Sequence, residues 1–371
     1  MSLHKLTVMQ DFIFELIQVS LGKRLCLSRT LNAIEWGRLY ELAQNQAIVG
    51  VCFAGVRKLQ ALQQGPPPNL YMMWLGVTAN IQQRNETVSQ QCVELQAEFQ
   101  TEGFRSCILK GQGVACLYGA DLCKLRQPGD IDIWIDGTWQ EVMAYVNVRT
   151  PNREFDRKHT HYNVFDDTVV ETHWRPTVSS NWFVNSKLTV YFEKERERQF
   201  SNRVKLPDES EICAPTADFQ LVHAMLHIYG HFLYEGVGLR QIMDLYFVQF
   251  TASGKVHEVL GTLEDLGLMR FVGATQYVLQ KVFGLSANEL MCNVNEDLGK
   301  ELLEEILQGG NFGQYDSENQ ANGKSFVKRM KGHLRRRIRL ARFDIAGVLF
   351  APIGKVLTFL WKEMMIKKYK L

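Results

Sequence analysis

The feature that most constrains the fold is the stretch at residues 106–136, which reads SCILKGQGVACLYGADLCKLRQPGDIDIWID. It starts with a short apolar run that ends in Lys110-Gly111, and it closes with a run in which acidic and apolar residues alternate. Glycine permits a tight turn, and successive side chains of a strand point to opposite faces. The stretch therefore predicts a strand, a glycine turn, a short helix over residues 114–118, a loop and a second strand.

The second strand would carry a pair of carboxylates. Asp130 and Asp132 share one face of it, and the isoleucines between and after them share the other. Two carboxylates this close repel each other and are commonly neutralised by a cation, and hard oxygen ligands favour Mg²⁺ or Mn²⁺. The pair alone is a weak signal, because exposed acids on an edge strand give the same pattern.

A third acid is expected from a β-hairpin further along the chain. Residues 159–165 and 168–174 alternate in character around the polar turn Asp166-Asp167, which is typical of a hairpin. Its second strand would present Glu171 and His173 on one face. We expect Glu171 to join the acid pair, with Asp166 and Asp167 as fallback candidates. The histidines of the first strand, at positions 159 and 161, are weaker site candidates.

These motifs together resemble the nucleotidyltransferase superfamily that includes DNA polymerase beta. Its hallmark is an hG[GS] turn, then Dh[DE]h on the next strand, then a third carboxylate on a nearby strand. More specifically, LKG, LY, LR and GDIDI followed by VETHW resemble an uncharacterised bacterial nucleotidyltransferase family of single long chains. The patterns W..L.ELA..Q.I.G at residues 36–50 and LVHAMLHIYGHFLYEGVGLRQIMDL at 221–245 extend the resemblance. The turn departs from the superfamily pattern, since it reads Gly111-Gln112-Gly113.

The resemblance implies an α+β fold with a small mixed β-sheet as its nucleotidyltransferase-like core. Helical spacing of apolar residues before and after the core predicts an N-terminal helical layer and a large C-terminal helical region. We place a helical region at residues 1–98, the α/β core at 99–206 and a helical domain with a basic tail at 207–371.

The implied activity is metal-dependent transfer of a nucleoside monophosphate from a nucleoside triphosphate such as ATP to an acceptor hydroxyl, with release of pyrophosphate. The acceptor would be a small molecule or a protein. The expected catalytic and metal-binding residues are Asp130, Asp132 and Glu171, with Mg²⁺ or Mn²⁺ as cofactor. Glu171 could also serve as general base.

The expected nucleotide-binding residues are Lys110, Gly111, Gln112, Gly113 and Arg126. The turn would cradle phosphate oxygens with its backbone N–H groups. Arg126 would contact a phosphate or hold the carboxylates through a forked hydrogen bond. The alternatives are a flexible turn and a surface arginine. A non-catalytic protein that keeps the fold and binds a nucleotide or a partner is the alternative function, and the unusual turn motivates it.

Three histidines, His223, His227 and His231, recur every fourth residue and so share one helix face. A polar seam facing the cleft is a better interpretation than a zinc site, because no HExxH pattern is present. Arg240 and Asp244 on the next helix would pair with each other or with the seam. The residues expected to line the acceptor side of the cleft are His173, His223, His231 and Arg240.

Composition places the chain among ordinary globular proteins, with 46% hydrophobic and 22% charged residues in 371. Its eight cysteines are scattered without a CxxC pair, which favours reduced thiols and a cytoplasmic location. Residues 1–20 lack the pattern of a signal peptide. No run of about 20 uninterrupted apolar residues occurs, so we expect no membrane-spanning helix.

Charge is distributed unevenly along the chain. Residues 324–371 hold 14 lysines and arginines against 2 acids, whereas the remainder holds 28 against 38. Such a basic end suggests an anionic partner: nucleic acid, a membrane surface or the acidic body itself. Nucleic acid is not favoured, because basic and aromatic residues are not interleaved as in a dedicated reader. Residues 343–361 are largely apolar, which predicts either peripheral membrane contact or a terminal helix packed on the helical domain.

Overall fold

A computed structural model describes residues 3–150, 155–311 and 340–369. In these ranges a small sheet lies among many helices. The helices are α1 Leu3–Ser20, α2 Ala33–Asn45, α3 Val49–Ala61, α4 Pro68–Thr101, α5 Gln112–Ala115, α6 Trp139–Arg149, α7 Trp182–Ser201, α8 Ala217–Tyr234, α9 Leu239–Thr251, α10 Val256–Asp265, α11 Met269–Phe283, α12 Glu296–Gly309 and α13 Ile345–Tyr369.

The sheet is mixed, as expected for the α+β class. Its strands are β1 Ser106–Ile108, β2 Ile131–Ile135, β3 His159–His161 and β4 Val170–His173, in the order β1-β2-β4-β3. Strand β2 runs antiparallel to β1 and parallel to β4, and β3 and β4 form the predicted antiparallel pair. A separate ribbon pairs β5 Arg203–Lys205 with β6 Glu211–Cys213.

Alternation along β2 explains how the sheet is covered. Its isoleucines pack with Phe99 of α4 and Val146 of α6 in one buried cluster. On the other face, Trp134 stacks on Phe219 of α8 with ring centroids 6.0 Å apart. Because both faces are covered, the whole strand is buried, and any charge on it must be neutralised inside the protein.

Helix starts follow local chemistry at several points. Proline at the first position begins α4, which is one continuous helix of 34 residues. Thr138 caps α6 in a capping box with Glu141. Thr216 precedes α8 and is of a residue type that favours helix starts, but it makes no capping bond. Its hydroxyl instead contacts the side chains of Gln199 and Arg198.

Helices from the beginning and from the second half of the chain share one apolar cluster. It contains residues of α1–α3 together with residues of α8–α12. Polar bonds tie the same parts: the Gln46 amide donates to Ile306 O at 2.9 Å and accepts from Leu239 N at 2.8 Å. The division of the chain at residues 98 and 206 stays a prediction.

The sequence predicts no membrane-spanning helix, but α13 has the length and composition of one. Its part Ile345–Lys367 is long and apolar enough to cross a membrane by length and composition, with a mean hydropathy of 1.5 and 12% of its window buried. One side of α13 packs on the protein, as one interpretation predicts, and the other side is exposed. Peripheral membrane contact stays a prediction. The polar sequence at 309–323 predicts a loop and the basic sequence at 325–342 predicts a helix, and both segments lie mostly outside the described residues.

Candidate active site

Three carboxylates lie close together beside the glycine turn. Parallel pairing of β2 and β4 places Glu171 directly beside Asp132, and Asp130 immediately precedes β2. One oxygen from each of the three acids lies within 4.8 Å of the others. Oxygen donors at this spacing could hold a divalent metal. The structure thus brings together the three acids predicted from the sequence.

The fallback acids lie elsewhere. Asp166 and Asp167 are exposed at the hairpin tip. Asp167 forms an ion pair with Arg84 and accepts a hydrogen bond from Gln91 at 2.8 Å, both on α4. Its carboxylate therefore anchors the hairpin to α4 instead of joining the acid pair.

Asp132 is almost completely buried, and an ammonium group and an imidazole contact its carboxylate. Lys110 Nζ lies 2.8 Å from its Oδ1, and His173 Nε2 lies 3.0 Å from the same oxygen. Burial alone would raise the pKa of Asp132, but Lys110 and the hydrogen bond from His173 hold it well below its usual range. His173 also lies 3.3 Å from Glu171. It therefore bridges two of the three acids.

The other two acids differ in proton affinity. The negative charge of Asp132, together with burial, raises the pKa of Asp130. Burial would likewise raise the pKa of Glu171, yet the hydrogen bond from His173 helps to lower it to about 2. Glu171 consequently stays ionised at neutral pH, and Asp130 is the stronger base of the two.

A second group of potential ligands overlaps the first. His159, Glu171 and His173 also offer ligand atoms within 4.8 Å of one another. Burial, followed by the neighbouring His173, lowers the pKa of His159 to about 4, so its imidazole is neutral at pH 7. Pairing of β3 with β4 places His159 opposite His173. From the sequence alone, His159 was a weaker site candidate than the acids.

Helix α8 forms the opposite wall of the cleft. His227 Nε2 accepts a hydrogen bond from Lys110 at 2.6 Å, and its Nε2 lies 3.1 Å from that of His231. His223 is buried nearby, with Nε2 3.2 Å from Pro176 O. His223 and His227 line the cleft, whereas His231 lies beside His227 with its Nδ1 2.7 Å from Glu235 Oε2. His227, the member not singled out from the sequence, makes the contact with Lys110.

The burial of His223 predicts a dependence of stability on pH. Burial and the charge of Lys110 lower the pKa of His223 to about 3. The unfolded chain takes up a proton near pH 6.5 and the folded protein does not, so the free energy of unfolding falls as pH drops below 6.5. Between about pH 7 and about pH 5 this residue should account for a loss of about 2 kcal/mol.

Urea unfolding of wild type and His223→Gln at these two pH values measures this effect. The variant should lose about 2 kcal/mol less than wild type over the interval. Other titrating groups, including His173 with its raised pKa, are present in both proteins and cancel in the comparison. Equal losses in the two proteins would contradict the assignment.

The glycine turn adopts a backbone conformation that requires glycine. Gly111 has φ 57° and ψ −112°, a conformation that side chains with a Cβ avoid. It lines the cleft with Lys110. The side chain of Gln112, by contrast, is buried against α4, donating to Ser89 Oγ at 2.7 Å. A Cβ on Gly113 would lie 2.8 Å from Ile108 O, so that glycine serves close packing.

We expect Gly111→Ala to lower the free energy of unfolding by about 1–3 kcal/mol through backbone strain. An added Cβ would meet only Asp130 O, at 3.6 Å, so steric overlap contributes little. Gly76→Ala in the middle of α4 is the matched control, because its Cβ would meet open space. Chemical denaturation compares them, and an unchanged Gly111→Ala protein would contradict the prediction.

Arg126 makes the forked bond predicted for it, but to a different acid. Its Nε and Nη2 donate to Asp244 of α9 at 2.7 and 2.8 Å, and Tyr118 donates to the same carboxylate at 2.6 Å. The pair Arg240–Asp244 was one sequence alternative, yet Asp244 bonds Arg126, 118 residues away in sequence. Arg240 lines the cleft with its guanidinium close to Gly129.

The glycine turn, Asp130, Asp132 and residues of helices α8 and α9 line an open cleft with a cavity volume of about 50 Å³. A protein-family model described as an uncharacterised nucleotidyltransferase matches residues 32–284, which is more than half of the chain and includes the whole cleft. No curated protein and no solved structure matches the chain.

Proposed function

The chain belongs to this uncharacterised nucleotidyltransferase family, and we propose that it transfers a nucleoside monophosphate from a nucleoside triphosphate to an acceptor hydroxyl. The observation that carries the proposal is the meeting of Asp130, Asp132 and Glu171 within 4.8 Å beside a glycine turn. In the reaction the acceptor oxygen bonds to the α-phosphorus, the bond from that phosphorus to the bridging oxygen breaks, and pyrophosphate leaves with the electron pair.

The donor set fits a hard divalent cation. Three carboxylates supply oxygen ligands, and Mg²⁺ or Mn²⁺ is the cation we propose for them. Such an ion would neutralise charge on the triphosphate and lower the pKa of the acceptor hydroxyl.

The chain's own residues supply the remaining functions in this proposal. Lys110, beside Gly111, adds a positive charge to the cleft where phosphate oxygens would lie. Glu171, with its pKa of about 2, is better suited to hold a cation than to accept a proton. The general-base role expected of Glu171 stays a prediction.

Calorimetric titration tests the proposal. ATP, GTP, CTP and UTP would each be titrated into the protein with Mg²⁺ and again with EDTA. Binding of at least one nucleotide should depend on the metal, and pyrophosphate should appear when a suitable acceptor is added. Absence of metal-dependent binding for all four nucleotides, in folded protein, would refute the proposed site.

A second candidate function is supported by the contact of Lys110 with Asp132. The ammonium group of Lys110 at 2.8 Å can balance the charge of the central acid without a metal, and His173 lies 3.0 Å from the same oxygen. A protein of this kind could bind nucleotides without transferring them. It should then bind equally well in Mg²⁺ and EDTA and release no pyrophosphate, which distinguishes it from the enzyme.

The finer assignments are proposals as well. The glycine turn and three acids support a place in the wider superfamily of DNA polymerase beta, and ATP is the nucleotide we would test first. The acceptor would be a small molecule or a protein side chain, chosen by the histidine-lined wall of α8 and by Arg240 of α9. We propose a cytoplasmic location, in keeping with the scattered unpaired cysteines.

A further inference from the structure

Helix α13 exposes an unusually apolar surface. Among its described side chains, eight large apolar ones are between 48% and 64% exposed. Six of them recur every third or fourth residue and so occupy one side of the helix. We call this side the outer face of α13, formed by Ile345, Leu349, Ile353, Val356, Leu360 and Met364. A continuous apolar surface of this length on a folded protein marks an interaction site.

The opposite side of α13 is attached to the protein along its whole length. Tyr229 donates a hydrogen bond to Asp344 just before the helix starts. Ser180 lies against Gly354 in the middle. Towards the end, the ring of Trp361 packs edge-on to Trp139 at 6.1 Å and to Phe155 at 5.9 Å. Both sides of the helix are therefore apolar, and only one of them has a partner among the described residues.

This attachment separates a surface helix from a spanning one. A helix of 25 residues is about 37 Å long, enough to cross a bilayer. Crossing would require lipid around the whole circumference, and so the loss of the contacts at Tyr229, Ser180 and Trp361. With those contacts kept, the outer face can enter only the interfacial layer, with the helix axis parallel to the membrane plane.

Charge identifies the kind of surface that fits. Residues 324–371 carry 14 basic residues and 2 acids, whereas the rest of the chain carries a net charge of −10. Lys362 and Lys367 belong to α13 itself, and Glu363 is the one acid of this helix. An anionic bilayer offers an apolar interior to the outer face and negatively charged headgroups to the basic segment, so it fits both features.

Two exposed aromatic residues follow the segment that contacts α13. Trp182 and Phe183 begin α7 shortly after Ser180, and they are 74% and 73% exposed. Tryptophan is favoured at the boundary between headgroups and acyl chains. We propose that the outer face of α13 docks the protein onto an anionic membrane surface. Trp361 of α13 packs on Phe155, which lies four residues before His159 of β3. This contact would hold the sheet that carries the proposed site beside the membrane.

The experiment is co-sedimentation of the full chain with vesicles of phosphatidylcholine alone and of phosphatidylcholine mixed with phosphatidylglycerol. Binding is expected to the mixed vesicles and to weaken at high salt. Leu349→Asp and Leu360→Asp should each lower the partition coefficient about tenfold or more. Each removes a leucine side chain that would be buried in the lipid when the protein is bound. Leu25→Asp, at an exposed leucine remote from α13 in sequence, should leave it unchanged.

Several results would overturn the proposal. These are no binding to either vesicle, equal binding to both, or binding that the two α13 variants do not reduce. Size-exclusion chromatography over a range of concentrations tests the second-copy alternative: self-association abolished by Leu349→Asp, without vesicle binding, would assign the outer face to a dimer. Circular dichroism shows that each variant is folded. Nucleotide binding measured on the same samples keeps this test separate from that of the proposed function.

Discussion

Asp132→Asn is expected to abolish metal-dependent nucleotide binding and to reduce any turnover by about 10³-fold or more. Asp132 is the central acid, paired in register with Glu171 and followed by the buried core of β2. A metal ion contributes several kcal/mol to stabilising the charge of a transition state, and each 1.36 kcal/mol is a factor of ten in rate. Asparagine keeps the size of the side chain but removes the charge that attracts the ion.

The same substitution should have a smaller effect on folding. Lys110 and His173 would lose a charged acceptor, so we expect the free energy of unfolding to fall by about 1–3 kcal/mol. Calorimetry with each nucleotide in Mg²⁺, beside urea denaturation, separates the two effects. Asp167→Asn is the matched control, because this exposed carboxylate binds Arg84 outside the cleft. Normal nucleotide binding by Asp132→Asn would mean that the acidic site is not where the nucleotide binds.

Asp244→Asn is expected to destabilise the protein by about 3–5 kcal/mol. The side chain of Arg126 is 4% exposed, and Asp244 accepts two of its hydrogen bonds and that of Tyr118. Removing one partner of a buried ion pair leaves an uncompensated charge in a medium of low dielectric constant. Chemical denaturation at neutral pH measures the loss.

Two further variants define the cause. Replacing both partners, as Arg126→Met with Asp244→Leu, should recover much of the lost stability, because apolar groups of similar size need no counter-charge. Glu258→Gln should change stability by at most about 1 kcal/mol, since its pair with Lys255 is exposed to solvent. If Arg126 instead serves mainly to bind phosphate, Asp244→Asn would keep wild-type stability and alter only nucleotide affinity.

The sequence predicted the local chemistry of the site well, because that chemistry follows from neighbouring residues. Alternation in β2 places the acids, and the glycine turn requires a conformation that Gly111 adopts. The hairpin puts Glu171 and His173 on one face, where both approach Asp132. The resemblance to a family with this motif order gave the fold class, which the structure and the family match confirm.

What could not be predicted involves partners far apart in the chain. Nothing near Arg126 indicates that its acceptor is Asp244 of α9. The pattern of the turn does not reveal that Gln112 points towards α4 and away from the cleft. The contact of Lys110 with His227 likewise depends on how α8 packs on the sheet. Helix packing decided each of these contacts, and periodicity carries no information about which helix meets which.

The apolar cluster that α1–α3 share with α11 and α12 has a consequence for folding during synthesis. Gln46 bonds the carbonyl of Ile306, 260 residues later, and Gln18 bonds that of Val282. During synthesis, the faces of α1–α3 that meet α11 and α12 therefore stay exposed until those helices leave the ribosome. At about 5–20 residues per second this interval lasts on the order of 10 to 50 seconds.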